Sequence, residues 1–300
     1  MGQSQFRRTC FLEDGAAVPF DAARVAILPV PFEATVSYGA GASRGPAAIL
    51  EASEQLELYD EQLGVEPYRC GVWTAPPLQV AGHSAEQAGR AVERRVAELL
   101  DAGKWVVTLG GEHSITPGAV RATLERHPGL HVVQLDAHAD LRESYRGDRW
   151  NHACAMARCA ELCPLRAVGV RSYSSEEARR VRQGIPGYRI THAWEMRSAD
   201  WVELVLEGLE DRPVYLTVDL DYFDPSILPA TGTPEPGGAR WRPTLALLER
   251  LFQTCRVVAC DVVELAPIPG LHHADFAAAR LVYKLIAFAC GCATTEPTPG

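Results

Sequence analysis

No membrane-spanning segment is legible in this chain of 300 residues. Crossing a bilayer takes roughly 20 consecutive apolar residues, and the most apolar stretch, Ala274 to Cys292, is interrupted by Asp275, Arg280 and Lys284. A secretory leader is not recognisable either, because Met1 to Asp14 is polar and carries two arginines, so the expected location is cytoplasmic. Positive charge is in deficit: 29 Lys and Arg stand against 38 Asp and Glu, a formal net charge of -9. That balance argues against nucleic acid and anionic membranes as partners and mildly favours a small cationic one. Cys-x-x-Cys pairs are missing, although nine cysteines are present at 10, 70, 154, 159, 163, 255, 260, 290 and 292. Structural zinc usually needs such tight pairs, so these scattered thiols read as reduced and mostly buried. Repeats and low-complexity tracts are also missing.

With 47% hydrophobic residues, the chain has core enough to fold without staples. No shift in composition divides it, which suggests one domain over residues 1–300 with frayed ends at about 1–14 and 293–300. Val25 to Val30, Trp105 to Leu109, His131 to Leu135, Leu165 to Val170, Val214 to Val218 and Val257 to Val263 read as strands, several without polar alternation. Ala85 to Ala102, Pro117 to His127, Ala153 to Leu162, Ser174 to Gln183, Ala199 to Leu209, Pro243 to Cys255 and the last apolar stretch read as helices. This alternation predicts an α/β fold with helices on both faces of a parallel sheet. Two long connections rich in Gly and Pro, Pro29 to Ala47 and Asp224 to Arg242, follow strands and read as functional loops.

Six possible metal ligands close three of the apolar runs. They are His113 in Gly110-Gly111-Glu112-His113-Ser114, Asp136, His138 and Asp140 in Asp136-Ala137-His138-Ala139-Asp140, and Asp219 and Asp221 in Asp219-Leu220-Asp221. Strand side chains alternate, so each set shares one face if extended geometry continues through it. Ligands of open α/β sheets gather beyond the carboxyl ends of strands, where these residues and Glu264 fall. Four carboxylates and two imidazoles at one spot would repel each other and lose hydration unless cations compensated them. Oxygen-rich ligation without thiolates favours a divalent ion such as manganese, with zinc, iron and cobalt open.

These motifs, with Asp-Leu-Asp-x-x-Asp-Pro at 219–225, Thr-Gly-Thr-Pro-Glu-Pro-Gly-Gly at 231–238 and Val-Val-Glu-Leu-Ala-Pro at 262–267, resemble the ureohydrolases, the arginase and agmatinase family, from about Val25 to Ala289. Ser37-Tyr38-Gly39 through Arg44-Gly45-Pro46 is similar to the agmatinase branch. The resemblance implies an arginase-like three-layer α/β/α domain around a mostly parallel sheet. It also implies two Mn2+ per chain. One ion would take His113, Asp136, Asp140 and Asp219, and the other His138, Asp136, Asp219 and Asp221. A homotrimer or homohexamer is implied as well.

Guanidinium carbon is a poor electrophile and water a poor nucleophile, so paired cations that bring water closer to ionisation at neutral pH would suit this chemistry. By the resemblance, Glu264 pairs with the guanidinium nitrogens, a contact its two oxygens can make at two points. Asp140 would pass a proton to the departing amine, and His152 would exchange protons with solvent. The implied products are urea and an amine. His152 precedes Ala153 where the family commonly has His-Gly, and its alternative role is to begin a helix. Glu112 stands where Asp is more usual and is expected to orient a ligand or its neighbours. Arg171-Ser172 also fits the family pattern.

The segment that reads the α-carboxylate and α-amine in arginases is not recognisable here. In its place, Leu141 to Asn151 mixes charges with two aromatics. Glu143 or Asp148 could receive a distal ammonium and Tyr145 or Trp150 cover an alkyl chain, the alternative being a solvated loop. Agmatine, giving putrescine in polyamine biosynthesis, therefore leads. Aminopropylagmatine, guanidinobutyrate, guanidinopropionate, arginine and formiminoglutamate share the reacting end, and Arg142, Arg146 or Arg149 turned inward would favour a carboxylate-bearing substrate. Rival classes are a metal-dependent amine deacetylase and a non-catalytic binding protein. Glu264 and a complete second ion site favour guanidine chemistry over both.

Overall fold

The computed structural model describes residues 10–13 and 15–291. The strands are β1 (Val25–Val30), β2 (Val72–Thr74), β3 (Trp105–Gly110), β4 (His131–Leu135), β5 (Leu165–Val170), β6 (Tyr188–His192), β7 (Pro213–Asp219) and β8 (Arg256–Val263). They form one sheet in the order β2-β1-β3-β8-β7-β4-β5-β6, with every pairing parallel. The helices are α1 (Gly45–Ser53), α2 (Ala85–Asp101), α3 (Thr116–Arg126), α4 (Ala155–Ala160), α5 (Ser175–Gln183), α6 (Trp201–Leu206), α7 (Trp241–Thr254) and α8 (His272–Gly291).

Alternation along each buried strand makes two cores. Val25 and Ile27 of β1 face Ile49 and Leu50 of α1, Leu245 and Leu248 of α7 and Leu281 and Leu285 of α8. Ala26, Leu28 and Val30 face the opposite layer, with Val92 and Val96 of α2, Val120 of α3 and Met156 of α4. The result is the expected three-layer α/β/α arrangement. Helix starts follow local chemistry: Ser84 and Gln87 form a capping box at α2, Ser174 and Glu177 another at α5, and Pro117 sits in the first turn of α3.

Three elements escaped the apolar pattern. β2 is only three residues long, β6 is a half-exposed edge strand reading Tyr-Arg-Ile-Thr-His, and α1 opens on Gly-Pro inside what reads as a loop. The amino-terminal end is also better packed than expected over 10–13. Phe11 and Leu12 are buried, and their amides donate to Thr74 Oγ1 and Ser53 Oγ at 2.9 and 2.8 Å. The other residues expected to fray, 1–9, 14 and 293–300, lie outside the described residues. No described helix is long and apolar enough to cross a membrane.

Candidate metal centre

β3, β8, β7 and β4 are consecutive in the sheet, so their carboxyl ends are contiguous. His113 follows β3, Glu264 follows β8, Asp219 closes β7 with Asp221 just beyond it, and Asp136 to Asp140 follow β4. Strand alternation, expected to align these side chains, does not do so. β4 stops at Leu135, Asp140 takes a left-handed φ of 50°, and Asp221 lies in the 3-10 turn Leu220–Tyr222. Turns, not strands, aim the side chains. Gly111 permits the one after β3, since a β-carbon there would meet the Phe32 carbonyl oxygen at 2.1 Å.

Atoms of His113, Asp136 and Asp140 lie within 4.8 Å of one another, as do those of Asp136, His138 and Asp221. Asp136 belongs to both groups. His113 Nδ1 faces Asp140 at 3.2 Å, Asp136 at 3.3 Å and Asp219 at 3.4 Å, while His138 Nδ1 faces Asp221 at 2.9 Å. All four aspartates and His113 are buried. Behind His113, Nε2 meets Thr217 Oγ1 at 2.9 Å, and Thr217 pairs in register with buried Asp261 of β8, which accepts from Thr116 and Tyr215 at 2.8 Å each. Thr217 thereby holds the Nε2 side of His113 and leaves Nδ1 facing the carboxylates.

The electrostatics call for added positive charge. Burial, reinforced by Asp221, pushes Asp136 up to about 7, and burial together with Asp221 and Asp136 holds Asp219 well above the usual carboxylate range. Burial and the neighbouring Glu112 push Glu264 up to about 8. Burial alone would lower His138, but Asp221 outweighs it and raises the imidazole to about 11. Burial alone would lower His113 too, but the surrounding carboxylates of Asp136, Asp140 and Asp219 outweigh it and hold the imidazole well above its ordinary value.

Glu112 is fully buried and acts on the loop after β1. Its oxygens accept from the amides of Ala34 and Thr35 at 2.9 and 2.7 Å and from the hydroxyls of Thr35 and Ser114 at 2.6 and 2.7 Å. Thr35 Oγ1 also contacts His152 Nδ1 at 2.9 Å. Its proton is already given to Glu112, so His152 donates from Nδ1 and keeps Nε2 as the acceptor. His152 also begins a 3-10 turn, His152–Cys154, as its alternative reading expected, while its side chain lines the cavity above the ligand groups. Arg171 emerges as a brace. Its guanidinium donates to the carbonyls of Asp221 and Glu235 at 2.7 Å each and of Gly169 and Pro236 at 3.2 Å each. One side chain thereby joins the end of β5 to the turn that carries Asp221 and to the loop after it.

A cavity of about 320 Å³ opens above these groups. Its floor holds His138, Asp140, Asp219, Asp221 and Glu264, and its walls include His152, Arg142, Tyr145, Ser172 and Glu177. The two long loops meet at its rim, where the Gly39 amide donates to the Gly232 carbonyl at 3.1 Å. Glu143 and Asp148 are not among the described residues lining it. Glu143 turns outward to Arg158, Arg180 and Arg149 at 2.9, 3.4 and 3.8 Å, and Asp148 accepts the Trp150 amide at 2.8 Å. Both carboxylates are thus occupied away from the expected distal ammonium. Arg142 does face the cavity, but Glu177 stands 3.8 Å from its Nε and the Tyr145 ring 4.8 Å from its Cζ.

The description of the arginase family matches residues 23–287. The N(1)-aminopropylagmatine ureohydrolase of Synechocystis sp. is 41% identical, covering 93% of each chain. The agmatinase of Bacillus anthracis is 33% identical over 89% of this chain and 92% of its own. Among solved structures, the agmatine ureohydrolase of Thermoplasma volcanium superposes with a TM-score of 0.86 at 30% identity, covering 96% of each chain.

Proposed function

The chain belongs to the arginase family, and on that premise we propose that it hydrolyses an aliphatic guanidine with a cationic far end, N(1)-aminopropylagmatine foremost, to urea and the corresponding amine. One observation carries the chemistry: two adjoining groups of buried carboxylates and imidazoles, with only His138 partly exposed, that share Asp136. The donor set fits paired divalent cations, because His113 Nδ1 is buried without a hydrogen-bond donor or acceptor partner and points into three carboxylates. His113, Asp136, Asp140 and Asp219 would hold one Mn2+, and His138, Asp136, Asp219 and Asp221 the other. When bound, such cations make water a better nucleophile near neutral pH and stabilise negative charge developing on the reacting centre.

The protein's own groups account for the remaining requirements. Glu264 Oε1 already accepts the His113 amide at 2.7 Å, and that contact orients the carboxylate toward a planar guanidinium in the cavity. Asp140, on the cavity floor, is positioned to carry the proton that lets the amine depart. His152, with Nε2 as acceptor, exchanges protons between that floor and solvent. The loop contact at Gly39 and Gly232 narrows access from above.

Relatives supply the substrate reading. The names at 41% and 39% identity specify N(1)-aminopropylagmatine, and agmatinases follow at 33%. Agmatine is therefore the second reading. Arg142 does not redirect the site toward carboxylates, because Glu177 balances its charge and Tyr145 covers its face. A homotrimer or homohexamer acting in cytoplasmic polyamine biosynthesis completes the proposal. Urea release should be measured from N(1)-aminopropylagmatine, agmatine, arginine and guanidinobutyrate, with and without manganese. The highest kcat/KM is expected with the first, and manganese-dependent. Preference for guanidinobutyrate would mean that Arg142 reads a carboxylate, and turnover of acetylated amines alone would replace the ureohydrolase reading.

A further inference from the structure

At the amino end of the edge strand β2, Cys70 and Cys290 meet across 220 residues of sequence. Cys70 closes the 3-10 turn Pro67–Cys70, just before β2, and Cys290 lies in the last turn of α8. Both are free, half-buried thiols whose sulfurs are 2.8 Å apart. Arg24 secures both partners: its guanidinium donates to the Ala289 carbonyl at 3.2 Å and its amide to the Gly71 carbonyl at 3.0 Å. The backbone that presents each sulfur is therefore already fixed, and little rearrangement separates this contact from a bond.

We propose that Cys70 and Cys290 are a built modification site, which hydrogen peroxide converts to a reversible disulfide tying α8 to the turn before β2. The two thiols have different parts. A hydrogen bond from Cys290 and, after the opposing effect of burial, the Arg24 charge lower the Cys70 thiol, whereas the same contact and burial raise Cys290. Cys70 is thus the attacking thiolate and Cys290 the resolving thiol. The Cys70 thiolate attacks one peroxide oxygen, the O–O bond breaks, and the departing hydroxide takes a proton to become water, leaving a sulfenic acid on Cys70. The Cys290 sulfur then attacks that sulfur and loses its proton. The S–O bond breaks, a second water leaves, and the S–S bond forms. Two thiols and one peroxide thus give one disulfide and two waters. Two other thiols offer a contrast: burial raises Cys154 and Cys255 to about 12, which disfavours their thiolates.

A bond there closes a long loop in the unfolded chain and should raise the thermal midpoint by roughly 5 °C or more. It lies at the amino ends of the strands, so urea release should be unchanged. The full chain is titrated with hydrogen peroxide, the remaining thiols are blocked, and the non-reduced digest is read by mass spectrometry. The expected result is one linked peptide pair joining Cys70 to Cys290, two hydrogens lighter than the free peptides and lost on adding dithiothreitol. In Cys290→Ser, dimedone should trap a sulfenic acid at Cys70. In Cys70→Ser, Cys290 should stay reduced. Independent alkylation of both thiols after peroxide treatment, or linkage of either one to another cysteine, would overturn the proposal. Mass reports this outcome directly, whatever the substrate assays show.

Discussion

The two ends of the same strands are built on opposite terms. At the amino ends two buried lysines are answered: Lys104 donates to the carbonyls of Phe20 and Ala23 at 2.7 Å each, and Lys284 pairs with Asp60 at 2.8 Å. At the carboxyl ends, four buried aspartates crowd two imidazoles, and both Asp140 and Glu264 take left-handed backbone, with φ of 50° and 67°. Such conformations cost roughly 1–3 kcal/mol each and persist only where the surroundings hold them. One end of the sheet stabilises the fold, and the other holds charge that only cations can balance.

Removing a charge should therefore have opposite consequences at the two ends. Asp136→Ala is expected to lose both ions and to cut urea release on the order of 10³-fold or more, because its carboxylate serves both ligand groups. Metal analysis and urea assay check this, and the metal-free variant should melt above the metal-free parent. Full metal occupancy in Asp136→Ala would break the comparison. Lys284→Ala, by contrast, leaves Asp60 buried without its ion-pair partner and should cost roughly 3–5 kcal/mol in chemical denaturation. Its turnover per folded molecule should be unchanged, and a lowered kcat would mean that the two ends are coupled.

A smaller effect is expected at the brace. Arg171→Lys cannot reproduce the fork of contacts to Gly169, Asp221, Glu235 and Pro236, and should weaken metal affinity about tenfold by freeing the turn that carries Asp221. Manganese titration should show this with little change in thermal midpoint. An unchanged affinity would limit Arg171 to holding the loop.

The gentlest test is pH. A carboxyl with a raised native pKa keeps a proton that the unfolded chain releases, so metal-free stability should fall as pH rises from about 4 toward about 7 for Asp136 and about 8 for Glu264. His138 acts in the same direction, since its raised imidazole loses its stabilising proton as pH rises toward about 11. Asp221, held low by His138 against burial, opposes the trend only at acid pH. Chelated protein should thus melt lower at pH 8.5 than at pH 5.5, and manganese should abolish the difference. A chelated midpoint that rises with pH would contradict the charge account.

Much of this arrangement is legible in the chain itself. β1, β4 and β5 match their apolar runs residue for residue, because strands buried on both faces have no polar alternation to blur their limits. Edge strands such as β6 lack that signal, as half of their surface meets solvent. The ligands are recognisable from their motifs, yet the geometry that joins them is made by turns, and no period encodes a turn. The supports are harder still. Thr35 meets His152 across 117 residues and Glu112 across 77, and Arg171 reads backbone carbonyls that have no side-chain signature. Glu143 looked suited to a distal ammonium only because its arginine partners, including Arg158 fifteen residues on, are brought to it by the fold.

The carboxylates around Asp136 call for two cations on one ligand set. A crystal grown with manganese should show two anomalous peaks per chain, one beside His113 and one beside His138, both within reach of Asp136. A single peak at saturating manganese, or two peaks without Asp136 between them, would contradict it.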